Sequence, residues 1–153
     1  MVRVRGARMT DLTFTDVPRG EYDVMRLQLE MAGLPTDDLD GPDRLFFRLS
    51  DGHGPVGYIG LEGNGPDRLL RSLVVMRRHR GHGHGRELVR RLGRVCDGAV
   101  KRLHLLTTGA APFFRSLGFV DAERGTAPQA IAYTSQFTSL CPSSAIYLVK
   151  DIA

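Results

Sequence analysis

Cysteine is scarce in this chain of 153 residues: Cys96 and Cys141 are the two it has, and their unlike surroundings give no disulfide framework. No apolar run is long enough to span a membrane and no secretory leader is recognisable, so the expected setting is a reducing cytoplasm. The five histidines lack cysteine or carboxylate partners at ligand spacing, which argues against a zinc site. Internal repeats and domain-dividing linkers are also missing. By length the chain is one domain, large enough to bury about two thirds of its unfolded surface in a single core. The net charge of +4 owes much to Arg3, Arg5 and Arg8, so the body is close to neutral. With no aromatic platform among the basic residues, neither nucleic acid nor a membrane is an expected partner.

What the chain does have is the stretch Leu69 to Leu88, LLRSLVVMRRHRGHGHGREL. An apolar run to Met76 gives way to arginines, histidines and three alternating glycines, Gly81, Gly83 and Gly85. Leu88, Val89, Leu92, Val95, Cys96 and Ala99 then recur at spacings of three and four, the mark of an amphipathic helix running to about Gly98. Glycines at a helix start let successive backbone N–H groups converge on an anion, and the helix end and arginines add positive charge. The stretch is suited to a phosphate or pyrophosphate. A Rossmann fingerprint fits poorly, because the third glycine and the acidic ribose ligand are missing, and no Walker lysine follows.

The rest of the chain supplies the frame. Residues 1–10 lack periodicity and are expected to be a flexible extension, leaving residues 11–153 as the domain. Leu12 to Asp16 predicts a strand and Glu21 to Ala32 a helix ended by Gly33 and Pro35. Leu45 to Ser50 and Val56 to Leu61 predict a hairpin across Asp51-Gly52-His53-Gly54-Pro55, and with the central strand they form an antiparallel meander. Arg102 to Thr107 follows the long helix and should pair parallel to the central strand through a right-handed crossover. Ala110 to Leu117 predicts a short helix, Phe119 to Ala122 a brief strand, Pro128 to Ser139 a further helix, and Ala145 to Lys150 the last strand. The expected class is α/β (α+β): six to seven strands in a mixed, mostly antiparallel sheet flanked by helices, with one parallel βαβ crossover.

This order resembles the GNAT N-acetyltransferase fold over nearly all of Leu12 to Lys150. Arg80-Gly81-His82-Gly83-His84-Gly85 fits R/Q-x-x-G-x-G/A, which resembles the family's acetyl-coenzyme A pyrophosphate loop. Thr107, Ala110, Phe113, Phe114, Gly118 and Phe119 fall on a second family signature, N-x-x-A-x-x-F-Y-x-x-x-G-F. Thr107 stands where Asn is usual, and Phe114 stands where the family often has a tyrosine that protonates the departing thiolate. The segments LLRSLVV, LLTTGAAPFFRSLGF and SQFTSLCPSSAIYLVKDI are similar to the arsenic-resistance group of these enzymes, some of which acetylate arsinothricin, an organoarsenical amino acid.

The resemblance implies acetyl-coenzyme A as cosubstrate, no metal, and a monomer or homodimer. Leu73, Val74 and Val75 would lie along the cofactor, with the thioester carbonyl polarised by a backbone N–H near Val75. Arg80, Gly81, His82, Gly83, His84, Gly85 and Arg86 would take the pyrophosphate. Thr107, Phe113 and Phe114 would complete the cofactor side.

Acyl transfer to an amine also needs a base, a proton donor and a way of placing the acceptor. Glu62, at the end of the third strand, is the candidate base; otherwise it is a solvated turn carboxylate. Arg71 is a charge inside an apolar strand, so it either anchors an anionic substrate, with Ser72 assisting, or pairs with a carboxylate. Cys141 and Tyr133 are candidate proton donors in place of the hydroxyl missing at Phe114, with Tyr147 and Tyr58 behind them; a buried turn residue is the alternative for Cys141, and core packing for the tyrosines. The functional expectation is acetyl transfer to the amine of a small anionic amino compound, an arsenical being one example. Other amines, a protein N-terminus or an antibiotic among them, and a non-catalytic acyl-coenzyme A binding module are the alternatives.

Overall fold

A computed structural model describes residues 11–96 and 98–152; the proposed extension lies outside the described residues. Seven strands form one sheet in the order β1-β2-β3-β4-β5-β7-β6. The strands are β1 (Thr13–Asp16), β2 (Arg44–Asp51), β3 (Gly54–Glu62), β4 (Asp67–Val75), β5 (Arg102–Thr107), β6 (Val120–Ala122) and β7 (Ile146–Asp151). Four helices accompany them: α1 (Tyr22–Met31), α2 (His84–Val95), α3 (Ala111–Ser116) and α4 (Gln129–Ala132). All neighbouring strands are antiparallel except β4 and β5, which run parallel across the α2 crossover. The β2–β3 turn is held by the Asp51 carboxylate, which accepts from the backbone N–H groups of His53 at 2.8 Å and Gly54 at 3.1 Å. None of the helices among the described residues is long and apolar enough to cross a membrane.

Each face of the sheet has its own core. On one, Leu88, Val89 and Leu92 of α2 and the buried, free Cys96 at its C-cap pack with Phe114 and Phe119 against Leu49, Ile59, Leu61, Leu70, Leu103, Leu105 and Leu148. The close seating of α2 explains Gly57 in β3: a Cβ there would stand 2.6 Å from the Val74 carbonyl oxygen and 2.9 Å from Leu88 Cδ1. On the other face, Tyr22, Met25 and Leu29 of α1 meet Phe46, Tyr58 and Val74. The remaining apolar residues of α1, Val24, Leu27 and Met31, face outward.

Two features of β4 shape everything downstream. Its parallel pairing with β5 covers three residue pairs, Asp67 with Arg102, Arg68 with Leu103 and Leu69 with His104. On its other side, the register with β3 passes from Gly60 opposite Arg71 to Tyr58 opposite Val74, so Ser72 and Leu73 together oppose Ile59. This is a β-bulge, and it resets the alternation of side chains. Leu70, Leu73 and Val75 pack on the α2 face, whereas Val74 joins the α1 core.

The expected helix over Pro128 to Ser139 is corrected to two short pieces, α4 and a π-helical turn at Gln136–Leu140. Its hydroxyls compete for the backbone: Thr134 Oγ1 donates to Ile131 O at 2.7 Å and Thr138 Oγ1 to Thr134 O at 3.0 Å. Such local bonds offer the chain an alternative to a continuous helix.

Candidate active site

The loop after β4 takes a 3-10 turn over Arg77–His79 before the glycines. Gly81 and Gly83 both have left-handed backbones, φ 82° and 81°. Gly83 is the N-cap of α2 and supplies no side-chain cap, so the first-turn N–H groups at His84, Gly85 and Arg86 have no capping side chain to satisfy them. Arg80 is turned back by its Nε–H, which donates to the Val75 carbonyl at 3.0 Å. A cleft of about 420 Å³ lies over this helix start, lined by Leu73, Val75, Arg80, Gly81, Gly83, His84, Gly85, Arg86 and Phe113. Nine of the thirteen expected cofactor residues therefore share one wall. His82 is exposed and is not among the lining residues. The Val74 side chain faces the α1 core, a consequence of the bulge.

His84 is buried, 6% exposed, and its Nδ1 has no hydrogen-bond partner. Burial pushes its pKa down from the ordinary histidine value, and the neighbouring His79 and His82 push it further; Asp51 and Glu87 oppose them. The ring therefore favours the neutral form.

A second cleft, of about 290 Å³, opens where β4 and β5 part. Its walls come from four separate segments: Ala32 to Pro35 after α1, Leu70 to Leu73 of β4, Leu105 to Ala110 with Phe114, and Gln136, Cys141 and Pro142. Leu73 lines both clefts. Thr107 and Phe114, two expected cofactor residues, line this second cleft. Thr107 Oγ1 accepts from the Ala110 N–H at 3.0 Å and so fixes the turn into α3. Phe114 is buried between Phe113 and Phe119, at ring-centroid distances of 5.1 Å and 5.5 Å.

Behind the cleft lies a buried charge cluster. The Arg71 side chain, 0% exposed, donates to Asp38 through both terminal nitrogens at 2.7 and 2.6 Å, to Glu62 Oε1 at 2.7 Å and, through Nε, to Ser72 Oγ at 3.2 Å. Arg44 joins at 3.1 Å from Asp38 and 3.6 Å from Glu62. Burial pushes the Asp38 pKa up, but the hydrogen bonds and charges of Arg71 and Arg44 outweigh it and hold the carboxyl below its usual range. Two arginines and two carboxylates thus neutralise one another. Of the two readings open for Arg71, this geometry realises the ion pair. Glu62 is not a solvated turn carboxylate; it is buried and is absent from the cleft lining.

Of the expected proton donors, Cys141 lines the cleft. Burial raises its thiol pKa, with Arg124 and Arg71 partly offsetting the rise. Tyr133 is 74% exposed and lies outside both cleft linings. Tyr58 and Tyr147 are core residues; the Tyr147 hydroxyl is 2.6 Å from His104 Nδ1, and His104 Nε2 is 2.7 Å from Asp67. Among the described residues, no group of three or more His, Cys, Asp or Glu could hold a metal ion.

An uncapped, glycine-lined helix start beside a parted sheet is a geometry suited to an anionic group. Its family follows from comparison: residues 42–121, just over half of the chain, match the acetyltransferase (GNAT) domain, and the chain belongs to that family of acetyl-coenzyme A dependent acetyltransferases. No curated protein matches the sequence.

Solved structures agree on the fold. N-acetylglutamate synthase from Neisseria gonorrhoeae, in complex with coenzyme A and N-acetyl-glutamate, is similar at a TM-score of 0.76 and 17% identity over 93% of this chain, which spans 35% of that longer protein. A GNAT-family acetyltransferase from Staphylococcus aureus is similar at 0.73 and 16% identity, covering 93% of this chain and 99% of its own. The ribosomal-protein-S18-alanine N-acetyltransferase of Escherichia coli is similar at 0.71 and 16% identity, covering 93% and 94%.

Proposed function

We propose that this protein transfers the acetyl group of acetyl-coenzyme A to the amine of a small amino compound. The observation that carries the reading is the shared wall at Leu73: the pyrophosphate-type cleft and the second cleft meet where the sheet parts. A cosubstrate held at the α2 start would direct its thioester along Leu73 toward an amine in the second cleft. Bringing the two together supplies much of the rate, because a neutral amine and a thioester react readily once aligned.

The residues divide the work as follows. Gly81 to Arg86, with Arg80, bind the phosphates. Arg71 orders the site by tying Asp38 of the α1–β2 loop to β4, with Glu62 as its second counterion. Among the described residues no carboxylate lines the acceptor cleft, and on this reading the amine gives up its proton to water rather than directly to Glu62. Cys141 lines the same cleft with its thiol pKa raised by burial, and on this reading it gives a proton to the departing thiolate and recovers one from water.

An anionic acceptor, the arsenical amino acid class included, takes its support from the sequence motifs and from Arg124 rather than Arg71. Arg124 is half-buried, its Nη1 donates at 3.3 Å to the carbonyl of the cleft residue Pro142, and its Nη2 has no partner. Among the described residues no carboxylate forms a salt bridge with it, so it offers an unneutralised charge beside the cleft. N-acetylglutamate synthase, similar in fold, has an acidic product in its own complex.

The test is thiol release from acetyl-coenzyme A across amino acids, their amides, phosphinothricin and arsinothricin. Turnover should favour acids over the matching amides. Equal turnover of acid and amide would remove the anionic preference. A second reading, an acyl-coenzyme A binding module without turnover, is favoured by Phe114 at the proton donor's usual place. It predicts tight binding of acetyl-coenzyme A with no thiol release from any amine.

A further inference from the structure

Ser72 is one of two non-glycine residues with positive φ among those described, at +57°; the other is Asp43. Serine has no conformational reason to take the left-handed region, where its Cβ crowds the backbone, and such strain persists only where the surroundings impose it. The bulge does so here. Ser72 is 6% exposed and lines the acceptor cleft, next to Leu73, the residue shared by both clefts.

Its hydroxyl is oriented by its neighbour. Arg71 Nε–H donates to Ser72 Oγ at 3.2 Å, while Asp38 and Glu62 fix the guanidinium. With a lone pair of Oγ engaged, the hydroxyl proton points elsewhere, and among the described residues no acceptor takes it. A hydroxyl that accepts from a guanidinium is also polarised into a better donor. Ser72 is thus a buried, oriented hydrogen-bond donor at the junction of the two clefts.

We infer that Ser72 Oγ–H donates a hydrogen bond to the thioester carbonyl oxygen of acetyl-coenzyme A, and more strongly to the oxyanion that forms when the amine attacks. The inference rests on the proposed acetyl transfer. No proton changes hands: the O–H bond stays intact while negative charge builds on the acyl oxygen and drains back as the carbon–sulfur bond breaks. Arg71 is the positioning residue behind it. The ion-pair cluster then has a chemical purpose, since it holds the hydroxyl in a donating orientation before the substrate arrives.

The experiment is an isotope-edited infrared difference spectrum of acetyl-coenzyme A carrying carbon-13 at the thioester carbonyl, bound to the wild type and to Ser72→Ala. In the wild type the carbonyl band should fall below its position in water-free solvent, and in the Ser72→Ala complex, formed at saturating acetyl-coenzyme A, it should move back up. With an accepted amine, kcat should drop about 100-fold, as for loss of one oxyanion donor. Ser72→Gly, which frees the backbone of its strain, should lose the same band shift, so a poorly folding alanine variant leaves the assignment testable. A role confined to satisfying Arg71 would lower the melting temperature without moving the band, and an unmoved band overturns the assignment. Failure of the wild type to bind acetyl-coenzyme A would instead bring down the acetyl transfer reading, and this inference with it.

Discussion

Arg71 shows how one side chain can carry two incompatible readings in sequence and one in space. An arginine inside an apolar strand announces that a partner exists, yet Asp38 sits in the acidic turn Thr36 to Asp40, where nothing distinguishes it from Asp37 or Asp40. The partner was illegible because it lies 33 positions away and follows no periodicity. Replacing Arg71 with Met would leave Asp38 and Glu62 facing each other with Arg44 alone. The expected cost is about 3 to 5 kcal/mol of stability for stranding buried carboxylates, read by chemical unfolding; a loss below about 1 kcal/mol would mean that Arg44 suffices. Cys141 offers the complementary kinetic case. Cys141→Ala should lower kcat by about 100-fold if the thiol is the proton donor, with Cys141→Ser retaining part of the rate. Identical kcat in Cys141→Ala would return the thiol to a packing role.

At the scale of elements, the phosphate-type loop was legible because its chemistry is consecutive: strand, glycines and helix start follow within about a dozen residues, and local pattern suffices. The acceptor cleft was not, since four segments from Ala32 to Pro142 converge on it. The bulge was equally hidden, for LLRSLVV reads as an apolar strand whichever face each residue takes, and the slip at Ser72 appears only against β3. The α2 start gives its own prediction. A Cβ on Gly85 would already stand 3.2 Å from Phe113 Cζ, with Val75 Cγ2 at 3.7 Å, so Gly85→Val should fill the cleft and cut acetyl-coenzyme A affinity by at least about tenfold, a loss of about 1.4 kcal/mol. Titration calorimetry on the folded variant checks it; wild-type affinity would place the cosubstrate elsewhere. Gly83 is the poorer target, because its φ of 81° would confound lost binding with strain.

Across the whole molecule, stability should depend on acid in two stages. His84 and His104 both have pKa values lowered first by burial, with Asp67 opposing at His104. The unfolded chain therefore takes up protons near pH 6.5 that the folded one refuses, and stability is lost as pH falls from about 6.5 toward the folded values, by up to about 1.4 kcal/mol per pH unit for each ring. A second decline begins below about pH 4, where Asp38 protonates more readily in the unfolded chain than in its arginine cage. Melting temperatures measured from pH 8 to pH 3 should show both. His84→Leu should weaken the first stage at no hydrogen-bonding cost through Nδ1, which has no partner to lose; an unaltered profile would assign that stage to other groups.

The short parallel seam between β4 and β5 has a mechanical meaning as well. Three residue pairs join them, so the sheet behaves as two plates, β1 to β4 and β5-β7-β6, riveted at one end and open at the other. Plates joined in this way can tilt about the rivet, and a long molecule laid in the gap acts as a brace between them. Amide exchange in β5 and β7 should then be set by one opening and that of β2 and β3 by another in the free protein. With acetyl-coenzyme A bound, the two should converge on a single, slower opening of the whole sheet.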